Sequence, residues 1–485
     1  MSAETARPRI PLDQVRRVHL VAIAGVGMAA LAGMLMRRGF AVSGSDEQIY
    51  PPMSTALERL GIPVMLGYRP ENLTPAPDLV VIGNKVSRDN AEVQGVLAAG
   101  LPYLSFPEAL AEFFLAGRRA LVVAGTHGKT TSTAMLAWVL ECAGRDPGMM
   151  VGGESLDFGG NFKLGSGELV VVEGDEYDSA FFDKGPKFLH YRPSGAILTA
   201  VEFDHADIYA DLDAVKAAFR RFVALLPAGG PLVVAQDFPH AVEIGRGAPQ
   251  TAMTTFGATA EADWSLADLR DVAGATSFHI RYAGRDEGGV TLKVPGRMNA
   301  LNGLGVYGLA RAVGLTHAEI VPGLASFSGV ARRQEVVGDY GGVTLIDDFA
   351  HHPTAVAGTL AAVRLRYPGR RLWALFEPRS NTSRRRVFQQ DYVTALAPAD
   401  RIVVAGVVLK ATDRVGAEEL FSADQLVADL VGRGAAARHM ESADAICAAV
   451  AAEVQAGDVV LMMSNGDFGG LRRTLGAALA ERAPV

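Results

Sequence analysis

A run of apolar residues, Ala120-Leu121-Val122-Val123, passes directly into Ala124-Gly125-Thr126-His127-Gly128-Lys129-Thr130-Thr131. A buried strand that feeds a glycine turn and then a helix aims backbone N–H groups, a lysine and a hydroxyl at one point. That arrangement holds the phosphates of a nucleotide and its Mg²⁺, so the chain is expected to use ATP. The usual loop places four residues between its first glycine and Gly-Lys. Here only two separate Gly125 from Gly128, and Val123 stands at the usual glycine position. The departure points to a particular subclass of ATP-using enzymes.

Strand-like runs alternate with helix-like stretches along most of the chain: His19 to Ala24, Leu79 to Ile82, Ala120 to Val123, Leu169 to Val172, Ala196 to Leu198 and Pro231 to Val234. A second cycle follows at Val343 to Ile346, Leu372 to Phe376, Arg401 to Val404 and Val459 to Met463. Such alternation predicts an α/β fold with parallel sheets covered by helices on both faces. At 485 residues the chain is too long for one core, and domain sizes suggest roughly three units. We place the seams near Gly117 and near Phe327-Ser328-Gly329, giving units 1–117, 118–327 and 328–485. Thr254 to Val294 reads as a small antiparallel excursion, and Met1 to Pro11 as a loose end.

A hydrophobic content of 49% with 20% charged residues describes an ordinary globular protein. The net charge of −7 gives no general attraction for nucleic acid or an anionic membrane, so neither is expected as a partner. Cys142 and Cys447 are far apart, which fits a reducing cytoplasm better than a disulfide framework. Val21 to Met36 is uncharged and flanked by Arg16-Arg17 and Arg37-Arg38, like a signal peptide or membrane span. Against that reading, it is shorter than the roughly 20 residues a spanning helix needs. Its glycines also fall in the register of a nucleotide-binding turn.

Three clusters carry chemistry. The first is Gly25-Val26-Gly27-Met28-Ala29-Ala30, with Asp46 beyond the next strand, Ala41-Val42-Ser43. Read literally, this glycine turn and acid bind NAD. A UDP-sugar diphosphate satisfies the same geometry, and so does a merely tight turn. The second joins Lys129 and Thr130 to Glu173, Asp175 and Glu176 after one strand and to His205 after another. Lys129 would neutralise β- and γ-phosphate charge, and Thr130 would ligate the metal. Open α/β sheets bind ligands at the carboxyl ends of their strands, so these groups should converge on a Mg²⁺ or Mn²⁺ site. A lone histidine after a strand is more often structural; the shared position at strand ends is what favours Glu173 and His205. The third comprises Arg332-Arg333, Asp347-Asp348-Phe349-Ala350-His351-His352-Pro353, Glu377-Pro378-Arg379-Ser380-Asn381-Thr382 and Ser464-Asn465-Gly466-Asp467-Phe468-Gly469-Gly470. Adjacent histidines on a helix point about 100° apart and make a poor metal pair, so nucleotide and substrate contacts are preferred there.

Taken together, Gly-Thr-x-Gly-Lys-Thr, Glu173, Asp204-His205 and Asp-Asp-x-Ala-His-His-Pro resemble the Mur ligases, ATP-dependent amide-forming enzymes of peptidoglycan assembly, over nearly the whole chain. Tyr50-Pro51-Pro52-Met53-Ser54-Thr55, Asp175 to Lys184, Glu377 to Thr382 and Ser464-Asn465-Gly466 look like one branch in particular. That branch joins UDP-N-acetylmuramate to a recycled L-alanyl-γ-D-glutamyl-diaminopimelate tripeptide. The resemblance implies a Rossmann-like UDP-sugar domain, a central phosphate-loop ATPase domain and a Rossmann-like C-terminal domain that closes over ATP and peptide. It implies catalytic roles for Lys129, Thr130, Glu173 and His205, with Thr130, Glu173 and His205 on the metal. Gly125, Thr126, His127, Gly128, Lys129, Thr130 and Thr131, with Asn299, Asn302, Arg333 and Asp348, would hold ATP. Gly25, Gly27, Ser45 and Asp46 would hold the UDP part, and Arg379, Ser380, Asn381 and Asn465 would face the peptide.

The chain departs from its relatives at Met298, where they often carry a histidine before the first asparagine. Lys216 lies near the carbamylated lysine of several relatives but at uncertain register, and is left out of the catalytic set. An alanine-adding ligase is the nearest competing reading, although its relatives usually show Pro-His-Arg where this chain has Pro378-Arg379-Ser380. A nicotinamide-dependent oxidoreductase and a non-catalytic nucleotide switch are the readings from other classes. Oligomeric state is left open.

Overall fold

The computed structural model describes residues 7–50, 53–272, 274–407 and 419–482. Pro51 and Pro52 of the Tyr50 to Thr55 segment lie outside the described residues, as do residues 1–6 of the expected loose end.

Five parallel strands form the first sheet, in the order Val64–Leu66, Ala41–Asp46, Arg17–Val21, Leu79–Ile82 and Tyr103–Ser105. The order turns back at Arg17–Val21, which opens a crevice at the carboxyl end of that strand. The uncharged stretch from Val21 onward is the end of this strand followed by the helix Val26–Arg37, whose residues Met28 to Leu35 are all buried. No helix among the described residues is long and apolar enough to cross a membrane.

The middle sheet has ten strands, and its centre is Pro193–Leu198, Arg119–Ala124 and Leu169–Gly174, all parallel. Arg119–Ala124 is buried on both faces, as a central parallel strand must be. Side chains alternate across a strand, so Ala120, Val122 and Ala124 join one core while Leu121 and Val123 join the other. Burying each such valine or leucine contributes about 1.5–3 kcal/mol. The first of these cores runs on into the N-terminal unit through Val18, Leu20 and Leu31. The antiparallel excursion expected over Thr254 to Val294 does not stand apart. Ala252–Gly257 is a parallel member of the sheet, and Trp264–Val272, Ala275–Tyr282 and Arg285–Leu292 extend its edge.

The third sheet runs Glu335–Tyr340, Val343–Asp348, Val459–Met463, Leu372–Phe376, Arg401–Ala405 and Ala437–Met440; only its first pair is antiparallel. Here too the strands feed two cores, with Ile346, Ala374 and Phe376 on one side and Leu345, Trp373 and Leu375 on the other. Asp348, Glu377 and Ser464 therefore emerge together at the carboxyl ends of neighbouring strands.

Candidate active site

The phosphate loop is shaped by what lies behind it. Gly125 has φ of +136°, and a Cβ there would meet Thr199 Oγ1 at 2.2 Å and Ala200 N at 2.7 Å. Thr126 N donates to Ala200 O at 2.8 Å, so the loop is pinned to the strand end beside it. Gly128 caps the helix Lys129–Cys142 in a left-handed conformation, leaving the helix N-terminus open toward any anion in the loop.

Lys129 Nζ donates to Gly125 O at 2.5 Å and to Glu176 Oε1 at 2.9 Å. Burial acts to lower the ammonium pKa, but the charges of Glu176 and Glu173 outweigh it and hold the group above its ordinary value. The same Glu176 oxygen receives His205 Nε2 at 2.9 Å, and the Tyr177 ring lies 4.1 Å from the imidazole, centroid to centroid. Burial likewise opposes charge on His205, yet Asp204 and Glu176 together raise its pKa. Glu176 itself is 2% exposed; burial works against its charge, and Lys129 and His205 hold its carboxyl below the usual range. Beside this group, Thr130 Oγ1 donates to Glu173 Oε1 at 3.0 Å, and Gly152 N donates to Glu173 Oε2 at 2.7 Å. Burial pushes the Glu173 carboxyl up, although Lys129 opposes the shift.

The C-terminal unit reaches into this cluster at several points. Arg333 Nη2 donates to Thr130 Oγ1 at 3.2 Å. Asp348 is buried and accepts from Gln334 N at 2.8 Å and Ala350 N at 2.7 Å, which fixes the turn that carries the arginine. Thr382 Oγ1 accepts from His205 N at 2.9 Å and donates to the Asp204 carboxylate. His127 in the loop pairs through Nε2 with Glu202 Oε2 at 2.7 Å, and Thr354 Oγ1 donates to Glu202 Oε1 at 3.2 Å. The His352 ring sits 4.5 Å from that of His127. Burial, then the nearby His127, brings the His352 pKa down to about 4.

The remaining expected residues are more scattered. Asn302 Oδ1 lies under Gly128, while Asn299 Nδ2 donates to Pro295 O at 2.9 Å. Met298 packs on Gly358 of the C-terminal unit, where an added Cβ would sit 2.0 Å from its sulfur. The thioether thus fills a seam between units. In the N-terminal crevice, a cleft is lined by Gly25, Asp46, Tyr68, Asn84 and Lys85 among others. Asp46 accepts from Ala24 N at 2.9 Å, Glu47 N at 2.8 Å and the Tyr68 hydroxyl at 3.3 Å. Its oxygens are thereby engaged within the turn. Gly27 lies against the Phe106 ring and the Ser45 hydroxyl is buried without a partner among the described residues; neither lines the cleft. The Arg379 side chain is 44% exposed and lies 3.8 Å from Glu377, and Asn465 Oδ1 is buried and unpaired among the described residues. Ser380 closes a turn on Ser383 and Asn381 accepts from Arg384. Lys216 lies away from the cluster, paired with Glu243 at 2.6 Å.

Three family descriptions match the chain in order. "Mur ligase family, catalytic domain" covers residues 17–118, "Mur ligase middle domain" 123–310 and "Mur ligase, glutamate ligase domain" 332–466. The chain belongs to the Mur ligase family. It is 37% identical to the Escherichia coli UDP-N-acetylmuramate–L-alanyl-γ-D-glutamyl-meso-2,6-diaminoheptandioate ligase, over 96% of this chain and 99% of the relative. A UDP-N-acetylmuramate–L-alanine ligase of Carboxydothermus hydrogenoformans is 34% identical over 93% of this chain and 94% of its own length. Among solved structures, the murein peptide ligase of Psychrobacter arcticus is 32% identical, with TM-score 0.73, covering 97% of this chain and 100% of that one.

Within this Mur ligase, the residues that sequence reasoning undervalued are those whose partners are remote. Glu176 was named only as one of three acids after a strand, yet its Oε1 is where Lys129 and His205 meet. Asp175 is held by Lys187 at 2.6 Å, and Tyr209 donates to Glu176 O at 2.7 Å. For a Mg²⁺ ion the fit is good at Thr130 and Glu173, whose paired oxygens are the hard donors such an ion takes. His205 Nε2 pairs with Glu176 Oε1, whose companion oxygen is buried and finds no partner among the described residues.

Proposed function

We propose that this Mur ligase joins the lactyl carboxylate of UDP-N-acetylmuramate to the amine of an L-Ala-γ-D-Glu-meso-diaminopimelate tripeptide, using ATP, in cytoplasmic peptidoglycan recycling. The units 1–117, 118–327 and 328–485 would take the UDP-sugar, the ATP phosphates and the peptide respectively. A carboxylate is a poor electrophile. The γ-phosphoryl group therefore passes to a carboxylate oxygen, breaking its bond to the β-phosphate bridging oxygen and releasing ADP. The amine then attacks the acyl carbon and gives up a proton to solvent, the bond from that carbon to the phosphate oxygen breaks, and phosphate leaves.

Mg²⁺ held by Thr130 and Glu173 would supply charge neutralisation on the transferring phosphate. Lys129 and the helix N-terminus at Gly128 bind the triphosphate, and Arg333 brings a second cation against Thr130.

The observation that carries the reading is Thr382 bonded to both Asp204 and His205, which seats the Glu377 to Thr382 segment against the phosphate site. Arg379 on that segment offers a partly exposed guanidinium, suited to the carboxylates of an acidic peptide. The full-length likeness to the Escherichia coli relative supports the same substrate pair. The test supplies alanine, tripeptide and tetrapeptide as competing amine donors with ATP, Mg²⁺ and UDP-N-acetylmuramate. Tripeptide-dependent ADP release is expected. Preference for free alanine would favour the alanine-adding reading, and absence of ADP would reject both.

A further inference from the structure

His127 on the phosphate loop, Glu202 of the middle unit and His352 of the C-terminal unit come together, each offering one ligand atom, all within 4.8 Å of one another. His352 is 4% exposed, and among the described residues its Nε2 has no hydrogen-bond partner. Its ring is fixed between His127, at 4.5 Å, and Phe388, edge-on at 5.0 Å. His352 Nδ1 accepts from Thr354 N at 3.3 Å, so in the neutral ring Nε2 carries the proton and stands as a buried polar group left unsatisfied beside a histidine and a carboxylate.

We propose that His127, Glu202 and His352 form a second metal site, distinct from the nucleotide's Mg²⁺, that takes Zn²⁺ or a similar borderline ion and ties the C-terminal unit to the phosphate loop. Two imidazoles and one carboxylate suit Zn²⁺ with an open fourth position, whereas Mg²⁺ prefers oxygen donors and retains water. Tetrahedral bonds of about 2.0–2.2 Å hold donors about 3.3–3.6 Å apart, so the widest separation must close by roughly 1.3 Å. Glu202 is partly exposed and gives the ion a way in. Thr354 already supports that carboxylate through its other oxygen, as an outer partner of a metal ligand does. The ion must also displace the proton that His127 Nε2 and Glu202 Oε2 share at 2.7 Å and the proton on His352 Nε2; each imidazole then carries its proton on Nδ1, and His352 gives up the Thr354 N–H, a contact of 3.3 Å.

Cobalt(II) serves as the visible probe, added to the nucleotide-free chain in excess Mg²⁺. The expected result is the strong absorption of a four-coordinate site at one equivalent, bleached by Zn²⁺, with Zn²⁺ also slowing ADP formation. His352→Gln and Glu202→Gln should each weaken binding by more than the roughly 10–100-fold that losing a supporting partner costs. His205→Ala should keep the absorption. No absorption, its survival in both site variants, or its loss in His205→Ala alone would overturn the proposal. Should either variant misfold by near-ultraviolet circular dichroism, zinc-edge X-ray absorption on the unaltered chain decides. Two imidazole ligands support the site; one or none overturns it.

Discussion

Thr382 accepts the backbone N–H of His205 at 2.9 Å, across 177 residues of chain. Its hydroxyl proton goes to Asp204, so one threonine fastens the C-terminal unit to the strand end that carries the imidazole. Thr382→Val keeps the shape and removes both bonds, leaving a buried carboxylate without that donor. Loss of a hydrogen bond to a charged group costs about 1.5–3 kcal/mol, so kcat/KM for the amine donor should fall by roughly 10–150-fold. Steady-state kinetics with the peptide varied would check this. An unchanged value would remove the basis for seating the peptide there.

Lys129→Ala should cut ADP formation by at least about 100–1,000-fold, the scale of losing one preorganised donor to transition-state charge. Binding of UDP-N-acetylmuramate, measured by calorimetry, should survive because the N-terminal cleft is lined by other residues.

Gly125→Ala tests the loop backbone rather than any side chain. With φ at +136° and Thr199 Oγ1 in the way, the new methyl must displace the loop. Strain of this kind costs about 1–3 kcal/mol. A lower urea midpoint together with lost nucleotide binding is the expected pair of results.

His352 has its pKa brought down to about 4, whereas an unfolded histidine titrates near 6.5. Between those values the unfolded chain binds the extra proton, so stability rises with pH and is lost as pH falls through this window. The groups facing His352 are His127, Asp204, Glu202 and His351. Urea unfolding in chelator at pH 7.5 and pH 5 should show His352→Gln losing less stability on acidification than the parent, by about 1–3 kcal/mol. Identical losses would place the buried imidazole's cost elsewhere.

The parts legible in the sequence were those written in neighbouring residues. Ala120 to Val123 and the loop after them declare a strand, a turn and a helix start within a dozen positions, and the later apolar runs declare the parallel sheets. Gly148–Ser155 escaped notice because three glycines dilute its apolar pattern, although it lies beside Leu169–Gly174 in the sheet. The site contacts are not local at all. Lys129 meets Glu176 from 47 residues away, and Arg333 meets Thr130 from 203. Residue types suggested a charged pocket; which carboxylate serves which cation depended on the tertiary fold. Met298 shows the converse. Its departure from the family pattern has a packing reason, the bare backbone of Gly358, which no local pattern reveals.

Because a single oxygen of Glu176 grips both Lys129 and His205, the two ends of the pocket are wired in series. A guest that recruits the ammonium strips that oxygen of one companion and leaves it to His205, whose ring lies against Tyr177 and whose backbone N–H is held by Thr382. Charge that reaches the ammonium therefore alters the electrostatic surroundings of the imidazole as well.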